Sequence, residues 1–161
     1  MKLYKALVRP KLEYCVQAWR PYLKKNIDNI EKVQHRATKM IKECKHLNYE
    51  DRLIQTGLIT LDERRTRGDL IEVFKMIKGL NKAEYRCFFT ISQNSRTRGH
   101  RFKFVKNRSK LDVRKHFFSQ RVVNDWNTSS EIVVETESVN CFKNNFDKYI
   151  SKDRRLLGWL S

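Results

Sequence analysis

The residues best suited to chemistry in this sequence are arginines and lysines interleaved with aromatic side chains. The stretch 96-RTRGHRFKFVKNRSKLDVRKHFFSQR-121, called here the basic segment, contains ten Lys or Arg and a single acid, Asp112. Cations bind phosphates, arginine does so through two parallel hydrogen bonds, and exposed aromatic rings stack on unpaired bases. One acid cannot pair with ten bases, so the pattern favours contact with nucleic acid over a face of ion pairs. The predicted phosphate-binding residues of this segment are Arg96, Arg98, Arg101, Lys103, Lys106, Arg108, Lys110, Arg114, Lys115 and Arg121.

Two aromatic residues, Phe102 and Phe104, alternate with charges in 101-RFKFVK-106 and allow two interpretations. They are either exposed rings that stack on bases, or core side chains of a short extended piece whose charges form a solvated rim. We expect the aromatic pair to belong to the core and the charges to serve binding.

A second group of cations lies in 27-IDNIEKVQHRATKMIKEC-44, which has the spacing of an amphipathic helix. Its predicted apolar face consists of Ile27, Ile30, Val33, Ala37, Ile41 and Cys44. Four cations project from the opposite face and form a basic stripe: Lys25, Lys32, Arg36 and Lys39. Such a stripe is suited to tracking a phosphate backbone, but it is equally typical of a solvated helix face, and both interpretations stay open.

The charge of the whole chain also favours binding to nucleic acid. Its 161 residues include 35 Lys or Arg against 18 Asp or Glu, for a formal net charge of +17 and a pI near 10.0. Such a field favours polyanions, nucleic acid first and an acidic membrane surface second. The excess is spread along the chain, so the folded body itself is basic. With 40% hydrophobic residues, the chain is expected to fold.

Features of export, catalysis and metal binding are missing from the sequence. No apolar run approaches the roughly 20 residues of a membrane span, and the start lacks the apolar core of a signal peptide, so we expect an intracellular protein, nuclear or cytoplasmic, without a membrane partner. The glycines are isolated, the carboxylates are dispersed, and neither HExxH nor GxSxG occurs. Cys15, Cys44, Cys87 and Cys141 stand singly, which favours free thiols in a reducing compartment. We therefore expect no catalytic residue, no metal and no cofactor in this chain.

The elements that position these residues are expected to be helices, because only five Gly and two Pro interrupt the chain. Helical spacing predicts helices over 2–19 and 27–44 and a short one over 50–58, with a connection at 20–26. A capping box, 60-TLDE-63, opens a further helix whose predicted inward residues are Leu70, Val73, Phe74, Ile77 and Leu80. Gly79 or Asn81 is expected to end it. Residues 1–82 thus form a predicted helical unit.

The second half is predicted to change character at residue 83. Residues 83–111 are expected to be a basic loop, linker or weak hairpin, followed by a helical C-terminal segment over 112–161. In 112–127, Phe118, Val122 and Trp126 share one face, and Phe117 is expected to pack beside Phe118. A last helix over 138–150 is expected to be capped by Ser138, with Val139, Phe142, Phe146 and Ile150 inward. The predicted fold class is mainly α: a small thumb-like helical bundle, a basic loop or weak hairpin, and two further helices.

Two motifs carry a resemblance to a known family. The first is 4-YKALVRPKLEYCVQAWRPYLKKNIDNIEKVQHRATKMI-41, and the second is 114-RKHFFSQRVVNDWN-127 followed by 138-SVNCFKNNFDKY-149. In this order they resemble the C-terminal part of the reverse transcriptases (RNA-directed DNA polymerases) of non-LTR retrotransposons, the LINE-type elements of the jockey-like group. The resemblance covers nearly the whole chain.

The resemblance implies a helical thumb over 1–82 that clasps the template–primer duplex, and a C-terminal extension that helps to hold RNA. The implied partners are RNA or an RNA–DNA duplex and the palm of a cognate polymerase. The catalytic aspartates of the family lie upstream, in a palm that this chain lacks, so the chain is not expected to be an enzyme by itself. A start inside a family motif implies a fragment. One departure is local: 126-WNTSSEIV-133 stands where the family usually continues Trp-Asn with Leu-Pro.

Two other classes of function compete with a nucleic-acid-binding module. A non-functional or protein-interaction remnant of a retroelement reading frame would expose the apolar surface that once packed on its palm, and would be prone to self-association. A hydrolase or metal protein would need a site that the dispersed carboxylates and single cysteines do not indicate.

Overall fold

The computed structural model describes residues 1–93 and 99–156, with side chains described as far as residue 150. The described part of the chain is mainly helical and holds one antiparallel bridge but no extended strand, which confirms the predicted fold class. Its α-helices are α1 (Arg9–Glu13), α2 (Lys24–Lys39), α3 (Tyr49–Thr56), α4 (Leu61–Ile77), α5 (Asp112–Lys115), α6 (Phe118–Thr128), α7 (Glu131–Val134) and α8 (Val139–Leu156). A π-helical turn covers Tyr4–Val8, and 3₁₀ turns cover Lys42–Cys44 and Tyr85–Cys87.

The chain forms two compact units that divide inside α4. The first unit spans Met1–Asp69, and the second begins at Leu70. The sequence placed its first boundary after residue 82, where the composition changes. In the structure that change marks the loop after a helix, because Phe89 and Phe104 from the 83–111 stretch pack into the same core as Phe74. The stretch is therefore part of the second unit.

The helix expected over residues 2–19 is shorter and irregular. Pro10 lies in the first turn of α1, where its missing N–H costs no hydrogen bond. The wider turn over Tyr4–Val8 directly precedes it, which relieves the clash of the proline ring with the preceding turn. The helix ends at Glu13, and Cys15 then adopts a left-handed backbone conformation with φ of 53°. Residues 14–19 are consequently turn and coil.

The second helix, α2, runs over Lys24–Lys39, so it begins inside the predicted connection and ends before Ile41. Its buried positions are polar, Gln34 and Thr38, while Val33 of the predicted apolar face is exposed. The inward face is thus turned by about one residue from the predicted one. The reason lies in hydrogen bonding, because the first unit is built around a buried polar cluster.

That cluster centres on Gln34, which is 0% exposed. Its amide nitrogen donates to the carbonyl of Ile59 at 2.9 Å and to the Tyr49 hydroxyl at 3.1 Å, and its amide oxygen accepts from the Tyr4 hydroxyl at 2.9 Å. Glu31 accepts from the Tyr49 hydroxyl and from the backbone N–H of Leu61, the latter at 2.9 Å. Burial and the nearby Glu31 carboxylate raise the pKa of Tyr4 to about 12, so the phenol stays a donor.

Side-chain caps fix where the next two helices begin. Asn48 accepts from the N–H of Asp51 at 2.9 Å at the start of α3, and Gly57 ends that helix with φ of 60°. The predicted capping box is present, since Glu63 accepts from the N–H of Thr60 at 3.0 Å and the Thr60 hydroxyl accepts from the N–H of Glu63 at 3.3 Å. These caps satisfy backbone donors that would otherwise lack partners.

The second unit is built on an aromatic core. All nine phenylalanines of the sequence lie after residue 69. Trp126 of α6 is fully buried, with its ring stacked on Phe104 at 5.9 Å and on Phe142 at 6.2 Å between centroids. Phe142 of α8 stacks in turn on Phe74 of α4 at 4.6 Å. The predicted inward positions of α6 and α8 are confirmed, and Ser138 accepts from the N–H of Cys141 as the predicted cap.

The helix predicted over 112–127 is interrupted. It divides into α5 and α6 because Phe117 adopts an extended conformation, with ψ of 148°. Arg114 and Arg121 therefore lie on two different helices and do not share one helical face. Gly79, with φ of 66°, follows the end of α4, so Leu80 is exposed and does not join the predicted core face. The short helix α7, which buries Val133 and Val134, was not predicted.

No helix in the described ranges is both long and apolar enough to cross a membrane.

The buried cluster of the first unit gives a stability prediction. Replacing Gln34 by Leu introduces an apolar side chain of similar size but leaves the Tyr4 hydroxyl and the Ile59 carbonyl buried without their partner. We expect a loss of about 2–4 kcal/mol in the free energy of unfolding, measured by urea denaturation followed by circular dichroism. Asn26→Leu, at an exposed position of the same helix, is the matched control and should change it little. Equal stability of both variants would contradict the role given to Gln34.

Candidate nucleic-acid interface

The basic stripe lies on the outer face of α2. Its four cations, Lys25, Lys32, Arg36 and Lys39, are all exposed, opposite the buried Gln34 and Thr38. Lys32 donates to Asn29 at 3.1 Å, while the other three side chains make no hydrogen bond or ion pair with a described residue. The stripe spans about 21 Å of helix.

The two acids of α2 do not neutralise this stripe. Glu31 is turned inward, where it holds Tyr49 and the N–H of Leu61. Asp28 is exposed on the same side of the helix, between Lys25 and Lys32 along the chain, and forms no ion pair with a described residue. The outer face of α2 therefore carries four cations and one acid, an excess of positive charge.

In the second unit, Trp126 and Asn127 hold the backbone of the basic segment. The Asn127 side chain accepts from the N–H of Phe104 at 2.8 Å and donates to the carbonyl of the same residue at 2.8 Å. The Trp126 indole N–H donates to the carbonyl of Phe102 at 2.7 Å. These three bonds, called here the Trp126–Asn127 clamp, fix residues 102–104 against the last turn of α6. These hydrogen bonds explain why a Trp-Asn pair stands at the end of the sequence motif 114–127.

The clamp orders an extended piece whose residues alternate. Phe104 is buried and Phe102 half-buried in the core, while Arg101 is exposed and Lys103 is half-exposed between them. The piece forms a minimal hairpin, because Ile91 and Phe104 make one antiparallel bridge and the N–H of Ser92 donates to the Lys103 carbonyl at 2.7 Å. The expectation that the aromatic pair belongs to the core is confirmed.

His100 contacts both the backbone carbonyl and the ring of Trp126 in this clamp. Its Nε2 lies 2.9 Å from the Trp126 carbonyl, and its ring meets the indole edge-on at 5.5 Å. The ring is buried, which lowers the pKa of His100. Lys103 lowers it further, whereas the hydrogen bond to Trp126 and the carboxylates of Glu131 and Glu135 raise it. The net effect favours the neutral imidazole, in which Nε2–H donates to the carbonyl.

The remaining predicted cations fall into two groups. Arg101, Lys115 and Arg121 have protein partners: Arg101 lies 3.6 Å from Glu135, Lys115 lies 3.3 Å from Asp112, and Arg121 donates to the His116 carbonyl at 3.0 Å. Both ion pairs are largely exposed and contribute little energy, so Arg101 and Lys115 can exchange their acids for a phosphate. Arg121 is half-buried and is held in place.

The second group faces solvent. Lys106, Arg108 and Lys110 are exposed, and their side chains make no hydrogen bond or ion pair with a described residue. Arg114 lies over the ring of Phe117 at 5.3 Å. Arg96 and Arg98, predicted as the first cations of the segment, lie outside the described residues. The structure thus places one group of predicted cations on α2 in the first unit and the other along residues 101–121 of the second.

Two residues of this surface were not predicted. Phe117 was expected to pack and is instead 53% exposed, and Phe88 was not singled out although it is 44% exposed. The helical spacing gave a signal for Phe117, since it lies outside the inward line of Phe118, Val122 and Trp126. Nothing in the sequence distinguishes Phe88 from its buried neighbour Phe89.

The described residues hold no group of three or more His, Cys, Asp or Glu that is placed to bind a metal ion. The four cysteines form no disulfide with one another.

The chain matches no protein-family model, no curated protein and no solved structure.

The Trp126–Asn127 clamp predicts that replacing one atom of the Asn127 side chain lowers the stability of the protein. Asn127→Asp keeps the shape and the acceptor for the Phe104 N–H, but replaces the donor that faces the Phe104 carbonyl by a second acceptor. We expect the variant to lose about 2–3 kcal/mol of stability and the Phe104 amide to exchange faster with solvent. Asn124→Asp, exposed on the same helix, carries the same charge change and should have a small effect. Equal losses in the two variants would show that added charge, and not the clamp, is responsible.

His100 predicts a pH dependence of stability. The unfolded chain takes up a proton near the ordinary histidine pKa of 6.5, whereas the folded chain resists protonation of His100 to lower pH. The free energy of unfolding should therefore fall as the pH is lowered from about 7.5 to about 5. His100→Gln keeps a donor for the Trp126 carbonyl and cannot be protonated, so its fall should be smaller. His35, whose pKa is also lowered by burial and then by Arg52, accounts for a remaining slope. An identical slope in the variant would contradict this account.

Proposed function

We propose that this chain is a nucleic-acid-binding module that grips phosphate backbones with two basic surfaces and carries out no catalysis itself. The first surface is the basic stripe of α2, and the second is the solvent-facing part of the basic segment. RNA and RNA–DNA duplexes are the proposed partners.

One observation carries the proposal: the four cations of the α2 stripe face solvent with a single exposed acid, Asp28, among them, while the other acid of the helix is turned inward. Lys25, Arg36 and Lys39 lack a described side-chain partner, and Glu31 of the same helix is turned into the polar cluster. A solvated face would need no such segregation, because interspersed acids and bases suffice for solubility. Segregated cations concentrate positive potential where a polyanion binds.

The resemblance to non-LTR retrotransposon reverse transcriptases supports this assignment and refines it. Under that resemblance the first unit acts as a thumb whose α2 stripe contacts a template–primer duplex, and the second unit acts as the C-terminal extension that holds RNA. The polymerase chemistry then belongs to a palm carried by another part of such an enzyme.

A second candidate function, a surface for protein association, rests on the N-terminal residues. Leu3 and Leu7 lie about one turn apart and are 76% and 61% exposed, and Tyr14 is equally open. Exposed apolar side chains of this size mark interaction surfaces when they cluster. The proposed occupants are the palm of a cognate polymerase or a second copy of this chain.

The primary proposal predicts binding that depends on salt and on the position of the charges. We expect the affinity for an RNA–DNA hybrid to fall steeply with salt, and the log–log slope to flatten when Lys25, Lys32, Arg36 and Lys39 are changed to alanine. Fluorescence anisotropy over a range of salt concentrations measures both quantities. A control variant removes the same charge from other exposed positions of the first unit: Lys2, Lys11, Lys42 and Lys45.

The control variant distinguishes binding through the basic stripe from binding through the overall positive charge of the chain. If both variants flatten the slope equally, net charge alone drives binding and the stripe has no special role. If the wild type binds without salt dependence, the nucleic-acid proposal is wrong. Light scattering on the same samples then tests the second candidate, which predicts dimers or larger species.

A further inference from the structure

We propose that Phe117 and Phe88 form a stacking platform for unpaired nucleobases, so that the second unit selects single-stranded over double-stranded nucleic acid. The inference rests on the proposed nucleic-acid function and specifies the ligand of its second surface.

The two rings are exceptions to the packing of their unit. Of its nine phenylalanines, six are buried and Phe102 is packed against the core, whereas Phe88 and Phe117 remain 44% and 53% exposed. Burying a phenyl ring contributes about 1.5–3 kcal/mol to the free energy of unfolding. The two exposed rings contribute less than that to the stability of the unit. An exposed ring that the core does not need is available to a ligand.

Both residues adjoin the buried Phe118, Phe88 through a ring contact and Phe117 along the chain. Phe88 meets the Phe118 ring edge-on at 6.4 Å, and Phe117 is its chain neighbour at the start of α6. Phe118 in turn packs edge-on against Phe89, which stacks on Phe104 at 4.4 Å. The Phe88 ring is therefore backed by the aromatic core, and the Phe117 ring is accompanied by the Arg114 guanidinium, which limits their freedom before a ligand binds.

Arginines accompany each part of the platform. The Arg114 guanidinium lies 5.3 Å from the Phe117 ring centre, and Arg121, fixed to the His116 carbonyl, lies 5.7 Å from that of Phe118. Arg86 precedes Phe88 by two residues and is exposed. Asp112, five residues before Phe117, is engaged with Lys115 at 3.3 Å. Exposed cations continue the surface along the chain at Lys106, Arg108 and Lys110.

This combination distinguishes strands from duplexes. Phosphate contacts recognise either form, because both carry the same charged backbone. Base faces are accessible only in a single strand, where they stack on aromatic rings independently of sequence. A surface that combines cations with open rings therefore gains affinity specifically from unpaired bases.

The test compares an oligodeoxyadenylate with an abasic strand of the same length, so that the phosphates are constant and only the bases differ. We expect the wild type to bind the base-bearing strand at least about fivefold more tightly. In Phe117→Leu and Phe88→Leu this preference should shrink, while the salt slope and the affinity for the abasic strand stay unchanged. Tyr149→Leu, the same kind of change at an exposed position of α8, is the control and should keep the full preference. Thermal melts verify that the leucine variants are folded.

The outcomes separate the two proposals. Equal affinity for both strands, or a preference that survives in the leucine variants, overturns the platform while salt-dependent binding to both strands keeps the proposed function. A loss of preference in Tyr149→Leu equal to that in Phe117→Leu also overturns it, because the effect would then be unspecific. Absence of salt-dependent binding to every strand overturns both.

Discussion

The second unit depends on the two-sided hydrogen bond between the Asn127 amide and the backbone of Phe104. One side chain there satisfies both the N–H and the carbonyl of a residue whose ring is buried. Without it, those groups would be buried unpaired, at about 1–3 kcal/mol each. Because Phe104 is fixed in this way, the residues beside it must alternate, with aromatic rings inward and Arg101 outward. Packing of the core and display of the charges thus follow from one contact.

The first unit likewise depends on buried polar side chains that form hydrogen bonds between separate elements. Gln34 and Glu31 join α2 to the N-terminal turn, to α3 and to the start of α4, so the interior of that unit is partly polar. Turning these side chains inward commits the opposite face of α2 to its lysines and arginine. Two arginines are buried. Arg52 donates to the Leu47 carbonyl at 2.6 Å and to Thr38 at 3.3 Å, whereas Arg65 donates to the Leu12 carbonyl at 3.0 Å and lies over the Trp19 ring at 5.6 Å. Burial lowers the pKa of Arg65, whose Nε and Nη1 have no hydrogen-bond partner among the described residues. The other lysines and arginines whose side chains are described, in a chain with net charge +17, are exposed or partly exposed.

Helix caps and inward apolar residues could be predicted from the sequence because they depend on local spacing. The Thr60–Glu63 box and the inward face of Phe118, Val122 and Trp126 are examples. The polar interior of α2 could not be predicted, because an argument from apolar periodicity assigns Val33 inward and does not select the polar Gln34, which is buried by tertiary hydrogen bonds. The break at Phe117 was missed for a related reason: its extended backbone interrupts a helical period that the side chains alone continue. The exposure of Phe88 next to the buried Phe89 likewise depends on packing between distant segments.

The central claim of the proposal is that two surfaces meet nucleic acid, the outward cations of α2 in the first unit and those of residues 106–117 in the second. The most direct measurement is nuclear magnetic resonance of the labelled chain, titrated with an RNA–DNA hybrid and then with a single strand. The account predicts that the hybrid shifts the signals of Lys25, Arg36 and Lys39, and that the single strand shifts those of Arg114 and Phe117. Shifts confined to the exposed apolar residues near the N-terminus, or no shifts at near-physiological salt, would contradict it.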